Sequence, residues 1–476
     1  MSPARSTPGG PPRSLLWLVA IGFFMQTLDA TIINTALPAM ASSLGESPLR
    51  MQSVVVSYAL TMAMLIPASG WLADRFGTRR VFLFAIVLFV AGSVLCAMSR
   101  GIGPLVAARV IQGMGGALLL PVGRLALLRS VPRAEFLAAM SFVAIPGLVG
   151  PLLGPTLGGW LVQYASWHWI FLINVPVGLV GCVAAYRIMP DLRAPIVHRF
   201  DSLGYGLLAF GMVAVSLAID GVSGLGLREA GVFVLLIFGF ASIAAYWLHA
   251  VRRPYPLFEP ALFGIPTLSI GLLGNLFCRL GSGCMPFLIP LLLQVSMGYS
   301  PLRAGMMMLP IALAGMAMKS FATPLITRFG YRRVLVVNTS LVGLAMASFA
   351  FATPGQPLAL HVVQLLVFGA VNSLQFTAMN TITLKDLDGS MASAGNSLLS
   401  MVQMLAMSLG VAVASAVLAG YTGIFGSATP LATLHAFEAT FASMGLITLA
   451  SALIFWNLPP EARAAQPAQP EVSGQG

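Results

Sequence analysis

Long apolar runs separated by short polar loops repeat along the whole 476-residue chain. Each run approaches the length of about 20 residues that lets a helix cross a bilayer. The pattern predicts fourteen spanning helices: 14–38, 52–73, 81–98, 103–128, 136–162, 168–189, 202–220, 230–250, 267–295, 304–324, 334–352, 358–380, 392–419 and 434–457. The weakest runs are 202–220 and 358–380, which Gly or Asn interrupts. The strict polar alternation of a membrane β-barrel strand is missing. Residues 1–13 and 459–476 read as Pro-, Ala- and Gly-rich polar tails, expected to be disordered.

Two polar signatures recur at one offset. Gly70-Trp-Leu-Ala-Asp74-Arg75-Phe-Gly77-Thr-Arg79-Arg80-Val81 returns in weaker form as residues 323–334, 253 residues later. Ser47-Pro-Leu-Arg50 returns as Ser300-Pro-Leu-Arg303 at the same offset. The repeat superposes spans 1–6 on spans 9–14 and leaves spans 7 and 8 as an inserted pair. The expected organisation is therefore a tail (1–13), a six-helix bundle (14–190), an inserted pair (191–256), a second six-helix bundle (257–458) and a tail (459–476). Many secondary transporters are built from such repeats, with the substrate site between them.

Composition agrees with the pattern and excludes a soluble domain. The chain is 58% hydrophobic and 8% charged, with a mean hydropathy of +0.90, whereas soluble proteins carry about 25% charged residues. The net charge of +11 is spread over short loops, which argues against nucleic acid as a partner. Of the 25 Lys and Arg, 17 fall on the side of the N-terminus and four (Arg50, Arg100, Arg228 and Arg303) on the other. Positive charge concentrates on the cytoplasmic side, so both termini are expected there, as an even span count requires. Ala39-Met-Ala41 looks like a signal-peptidase site, but the preceding run is long and holds Gln26, Asp29, Thr31 and Asn34, so it reads as an uncleaved first span. Cys96, Cys182, Cys278 and Cys284 lie inside apolar runs without metal-site or disulfide spacing.

Against this background the few intramembrane charges carry information. Asp29 is the one acid in the middle of a span. A charge there costs about 2.5–3.5 kcal/mol on insertion scales, so it is kept for a function or for a structural ion pair that orients span 1. Arg109, Arg124, Arg279 and Lys319 are the opposing cations. The repeat places Arg279 at the position of Gln26, one turn before Asp29, so Asp29 and Arg279 are expected to face each other across a central cavity. Snorkelling accounts equally for Arg124 and Lys319. Gln26, Asn34, Arg124, Arg279, Asn372 and Gln375 are the candidates to line the cavity, with Asn275, Gln294, Asn380, Asn396 and Gln403 as further polar positions that interhelical bonding explains as well. The excess of cations over acids favours an anionic or zwitterionic substrate. No phosphate-binding P-loop is present, and the five His are scattered, so neither ATP-driven pumping nor membrane-enzyme chemistry is expected.

The loop at 70–81 resembles the signature between spans 2 and 3 of the major facilitator superfamily. Leu28-Asp29-Ala-Thr31-Ile-Ile-Asn34-Thr-Ala36-Leu37-Pro38 resembles the first-span motif of its fourteen-span drug:proton antiporters, the EmrB/QacA-type branch. Arg109-Val-Ile-Gln112-Gly113-Met-Gly115-Gly116 resembles the fourth-span motif, and Gly150-Pro151-Leu-Leu-Gly154-Pro155-Thr-Leu-Gly158-Gly159 the fifth-span antiporter motif. Trp167-His168-Trp169-Ile-Phe-Leu-Ile-Asn174-Val-Pro176 is similar to the start of the sixth span, where Arg is more usual than His168. Within the branch the chain is most similar to MdtD-type multidrug transporters. The second half departs from the pattern, with Thr327 at the position of the loop Asp and no Arg at the counterpart of Arg109.

The resemblance implies an all-α integral membrane protein of the major facilitator fold. It implies a proton-coupled efflux antiporter that exports drugs or small amphipathic molecules by alternating access, in the cytoplasmic (inner) membrane. Proton coupling would lie with Asp29 and Arg109. Gly70, Asp74, Arg75, Gly77, Arg79 and Arg80 would form a conformational latch, although positive-inside anchoring explains part of the Arg content. Gly150, Pro151, Gly154, Pro155, Gly158 and Gly159 read as a helix-packing face that keeps the carrier from leaking. The alternative is an exporter of organic anions or metal-chelate anions such as citrate, and a more distant one a transport-dead receptor. The expected partners are a small-molecule substrate, H+ and the lipid bilayer, with a periplasmic adaptor protein as an open option. No cofactor or metal is expected.

Overall fold

The computed structural model describes residues 13–459 except 196, 198, 224–228, 388 and 427–428. The tails at 1–12 and 460–476, with Arg5 and Arg463, and also His198 and Arg228, lie outside the described residues.

Hydrocarbon offers the backbone no hydrogen-bond partners, so a spanning segment must bond within itself. Among the described residues every element is helical. Among the described residues fourteen helices are long and apolar enough to cross: spans 1 to 14 run Arg13–Thr35, Pro48–Phe76, Thr78–Met98, Ile102–Ser130, Ala138–Tyr164, Trp169–Ile188, Ser202–Gly221, Ala230–Val251, Pro266–Ser296, Pro301–Phe329, Tyr331–Phe351, Leu358–Leu384, Met391–Phe425 and Pro430–Trp456. Each coincides with one predicted run. The two weakest runs form unbroken helices, Ser202–Ser223 and Leu358–Leu384. The even count leaves residues 13 and 459 on one face of the molecule, the terminal face; the opposite one is the far face.

Proline explains the main departures from straight helices. Span 1 tightens into a 3₁₀ turn at Ile33–Thr35, and a new helix, Leu37–Leu44, starts with Pro38 in its first turn. Pro has no N–H to donate, and a helix start is where that costs nothing. Span 9 breaks after Ser282 and resumes at Met285–Leu291 with Pro286 in the first turn.

The repeat is visible in local geometry. Gly77 and Gly330 occupy corresponding loop positions, with φ of 94° and 79°. Both donate their N–H four residues back, to Ala73 and Ile326. A side chain there would be strained, which fixes Gly at both turns. Ser47 and Ser300 each cap the helix that follows, ahead of Pro48 and Pro301. Helix pairing repeats too. Spans 1·5, 2·4, 3·4 and 3·6 pack together, and so do their counterparts 9·13, 10·12, 11·12 and 11·14.

The first six spans meet the last six along seams where span 2 packs on span 13, span 5 on span 10 and the end of span 1 on span 9. Spans 5 and 10 approach closely towards the far face. Gly159 lies against the backbone of Pro301, and Gly305 against that of Pro155, so a Cβ at either position would collide. Thr156 donates to the Gly305 carbonyl (3.3 Å), the Leu302 N–H to Gln163 (3.3 Å), and Gln294 to the Thr35 carbonyl (3.0 Å). Spans 7 and 8 pack on each other, joined by Ser242 donating to the Leu207 carbonyl. Span 7 also packs on spans 2 and 13, and Gln52 donates to the buried Asp220 carboxylate (2.6 Å).

Candidate functional site

Asp29 sits on span 1 at 1% exposure, and a guanidinium reaches it from span 4. Arg109 Nη1 lies 2.7 Å from Asp29 Oδ2, and the Arg109 side chain is also 1% exposed. The rest of the site completes both ions. Gln112, one turn along span 4, accepts from Arg109 (2.6 Å) through its carbonyl and donates to Asp29 Oδ1 (2.7 Å) through its amide. Asn174 on span 6 donates to the same Oδ1 at 3.0 Å. Ser93 on span 3 accepts from Gln112 and Asn174 and donates to the Phe89 carbonyl (2.8 Å). Arg109 Nε donates to the Val54 carbonyl on span 2 (3.2 Å).

Two aromatic rings complete the enclosure. The guanidinium lies 4.1 Å from the Tyr58 ring centroid and 5.9 Å from that of Phe171. Stacking suits the planar, weakly hydrated Arg and substitutes for part of its lost hydration. Small residues make this convergence of spans possible. A Cβ at Gly92 would strike Gln112, one at Gly113 would strike Thr61, and one at Gly116 would strike Tyr58. The fifth-span motif acts in the same way on span 1, where Gly150 faces Thr27, Gly154 faces Thr31 and Gly158 faces Ile32 and Thr35. Thr35 donates to the Pro155 carbonyl at 3.2 Å.

The cluster is a buried ion pair with both partners hydrogen-bonded. The Asp29 carboxylate accepts on both oxygens, and Arg109 is its counter-ion. A proton on Asp29 turns an acceptor into a donor and leaves a buried guanidinium without a charge partner. An uncompensated buried charge is strongly unfavourable.

The family resemblance singled out Asp29 and Arg109, and the structure places the two side chains in contact. Sequence reasoning quoted Gln112 and Asn174 inside motifs without giving them a role, and it missed Tyr58 and Ser93. Arg279 is not the partner of Asp29. It donates from Nε to Asn275 on its own span (3.1 Å), and its guanidinium lies 4.4 Å from the Phe376 ring centroid. The cause is rotation about the helix axis, because Asp29 points between spans 3, 4 and 6 and not across to span 9. Gln375 does not line a cavity: at 1% exposure it accepts from Asn338 and donates to Thr339, which joins spans 11 and 12. Asn34 is likewise buried, at 4%, and its amide bonds back to Ala30 and Thr31 of its own helix. Gln294 belongs to the seam described above. Gln26, Arg124, Arg279 and Asn372 are half-buried. Gln26 Oε1, Arg124 Nε and Arg279 Nη2 find no partner among the described residues. A second polar cluster joins Arg279 and Asn275 to Gln403 (3.5 Å), which donates to Asn380 at 2.7 Å.

The loop at 70–81 is knit to span 4 and to the segment after span 6. Asp74 pairs with Arg129 at the terminal end of span 4. The Thr78 N–H donates to the Leu192 carbonyl, its hydroxyl to the Pro190 carbonyl, and Arg79 to the Met189 carbonyl. Arg75 and Arg80 are exposed. Thr327, at the Asp position of the second loop, donates to the Thr323 carbonyl of its own helix.

Comparison with known proteins gives the family. Residues 19–411 match the Major Facilitator Superfamily. A Pectobacterium atrosepticum protein that carries the name multidrug resistance protein MdtD is 51% identical over 446 residues, covering 94% of this chain and 96% of its own. Its namesake in Serratia proteamaculans is 52% identical over 445 residues, 93% of each chain. Among solved structures, a POT family transporter superposes with a TM-score of 0.68 at 16% identity, covering 95% of this chain and 97% of its own, a likeness of fold alone. The chain is a multi-pass membrane protein and belongs to the major facilitator superfamily.

Proposed function

We propose that this transporter is a proton-coupled antiporter that exports small amphipathic molecules, drugs among them, by alternating access. The observation that carries the reading is the Asp29–Arg109 pair, the buried acid whose protonation would leave a buried cation uncompensated. The relatives' name points to multidrug resistance and agrees with export. In this reading two six-helix bundles, spans 1–6 and 9–14, rock about the seams, with spans 7 and 8 as an inserted pair. Both termini are cytoplasmic, which the 17 to 4 distribution of Lys and Arg supports. The close span 5–span 10 contact at the far face then belongs to a conformation closed to the outside. The 70–81 loop, with its Asp74–Arg129 pair, acts as the latch at the cytoplasmic ends of spans 2 and 4.

A second reading, export of organic anions or metal-chelate anions such as citrate, is favoured by Arg279. Its Nη2 finds no partner among the described residues, and its guanidinium has a neutral neighbour, Asn275, and an aromatic platform, Phe376. Everted membrane vesicles that contain the protein test both readings. With an imposed pH gradient they should accumulate ethidium or labelled citrate, and collapse of the gradient by nigericin should stop the uptake. Uptake indifferent to the gradient overturns proton coupling, and the compound that accumulates decides between the two substrate classes.

A further inference from the structure

We propose that the groove between spans 1, 3 and 6 is a binding site for one acyl chain of an anionic phospholipid, taken from the leaflet at the terminal face. Identification of that leaflet as the cytoplasmic one rests on the orientation proposed above; the site itself does not.

The groove is a cavity of about 500 Å³ that opens from the side of the molecule. Every residue lining it except Ser14 is apolar. It follows span 1 from Ser14 to Met25 and span 6 from Ile188 to Pro176. Eleven helical steps along span 1 amount to about 16 Å, which is about half of the hydrocarbon thickness. The groove thus has the length of one leaflet and ends near the bilayer midplane. That dimension fits a single chain and excludes a spanning partner helix.

The mouth selects the headgroup. Arg13 precedes Ser14 and Arg187 precedes Ile188, and both arginines are exposed. Basic side chains flanking a groove at headgroup depth attract anionic lipids, and two of them give a preference on the order of tenfold over a zwitterionic lipid.

The blind end touches the helices that carry the charge cluster. Met25 lies one turn before Asp29, Pro176 lies two residues after Asn174, and the carbonyl of Phe89 receives the Ser93 hydroxyl. An acyl chain seated there props apart the helices that hold Asp29, Ser93 and Asn174. An empty groove leaves them free to close on each other.

Trp17, half-exposed in the groove wall, reports occupancy. The full chain, with the other Trp residues replaced by Phe, is reconstituted in phosphatidylcholine vesicles. These contain an equal small fraction of phosphatidylglycerol or of phosphatidylcholine carrying brominated chains, which quench Trp emission. Half-quenching is expected at about a tenfold lower fraction of phosphatidylglycerol. Arg13→Gln with Arg187→Gln abolishes that preference, and the two Arg→Lys changes keep it. Gly181→Leu weakens quenching by both lipids, because a Cβ at Gly181 meets only Ile86, at ordinary contact distance, and the added side chain enters the groove. Native mass spectrometry of the unmodified protein with the same two lipids gives the comparison without Trp replacement. Equal half-quenching or equal adduct formation for the two headgroups, or a preference that survives both Gln changes, overturns the site. The readout is lipid binding, so it stands apart from whether the transporter is an antiporter.

Discussion

Asp29 and Arg109 form an ion pair 2.7 Å long in which each side chain is 1% exposed. Such a pair adds little net stability, because desolvation cancels most of the attraction, yet removing one partner is severe. Arg109→Ala is therefore expected to cost about 3–5 kcal/mol, read as loss of folded protein on heating in detergent. Asp29→Asn with Arg109→Gln restores most of that stability without restoring proton-driven uptake. A stable Arg109→Ala single variant would mean that the pair is solvated in the bilayer.

Tyr58 supplies the ring against which the guanidinium rests, while its hydroxyl is buried without a partner among the described residues. An unpartnered buried hydroxyl is itself a cost of about 1–3 kcal/mol. Tyr58→Phe is thus expected to equal or exceed the wild type in thermal stability, whereas Tyr58→Ala opens a cavity and loses about 3–5 kcal/mol. A damaging Tyr58→Phe would show that the hydroxyl works in another conformation of the cycle.

The seam at the far face depends on Gly159 and Gly305, each of which lies against backbone of the facing helix. Gly305→Val cannot keep that contact, so it should push spans 5 and 10 apart and favour the state open at the far face. A single Cys introduced at Thr156 then becomes reactive to a membrane-impermeant thiol reagent from that face. In the wild-type background the same Cys stays protected.

The start of span 7 gives a pH dependence. Burial alone would raise the Asp201 carboxyl, but hydrogen bonds from His249 (2.8 Å) and the Gly204 N–H (3.0 Å) outweigh it and hold the group below its ordinary value of 3.8. A depressed carboxyl stabilises the fold above its unfolded pKa and loses that contribution as pH falls through the folded one. The stability gap between the wild type and Asp201→Asn should therefore be full at neutral pH and close only below 3.8. A gap independent of pH would assign the effect to shape and not to charge.

The spans were legible because hydrocarbon forces a long apolar run to become a helix, and even the interrupted runs at 202–220 and 358–380 obeyed. Asp29 and Arg109 were legible for a related reason: a charge in such a run is costly enough to be conspicuous. Tyr58 and Ser93 were not, since a Tyr or a Ser within a span is ordinary and only its neighbours give it a role. The misplaced residues share one cause. Sequence gives the depth of Arg279, Asn34 and Gln375 but not the rotation of their helices, and rotation decides whether a side chain meets a cavity or another helix. The repeat offset aligned Arg279 with Gln26 and still paired it with the wrong residue.

The central claim is that a proton on Asp29 drives the exchange. The direct measurement is proton movement in everted vesicles containing either the wild type or Asp29→Asn, challenged in turn with ethidium and with citrate. Substrate should discharge the pH gradient in the wild type and leave it untouched in Asp29→Asn, although the variant still binds substrate. Equal discharge by both proteins would contradict the assignment and place the proton on another group.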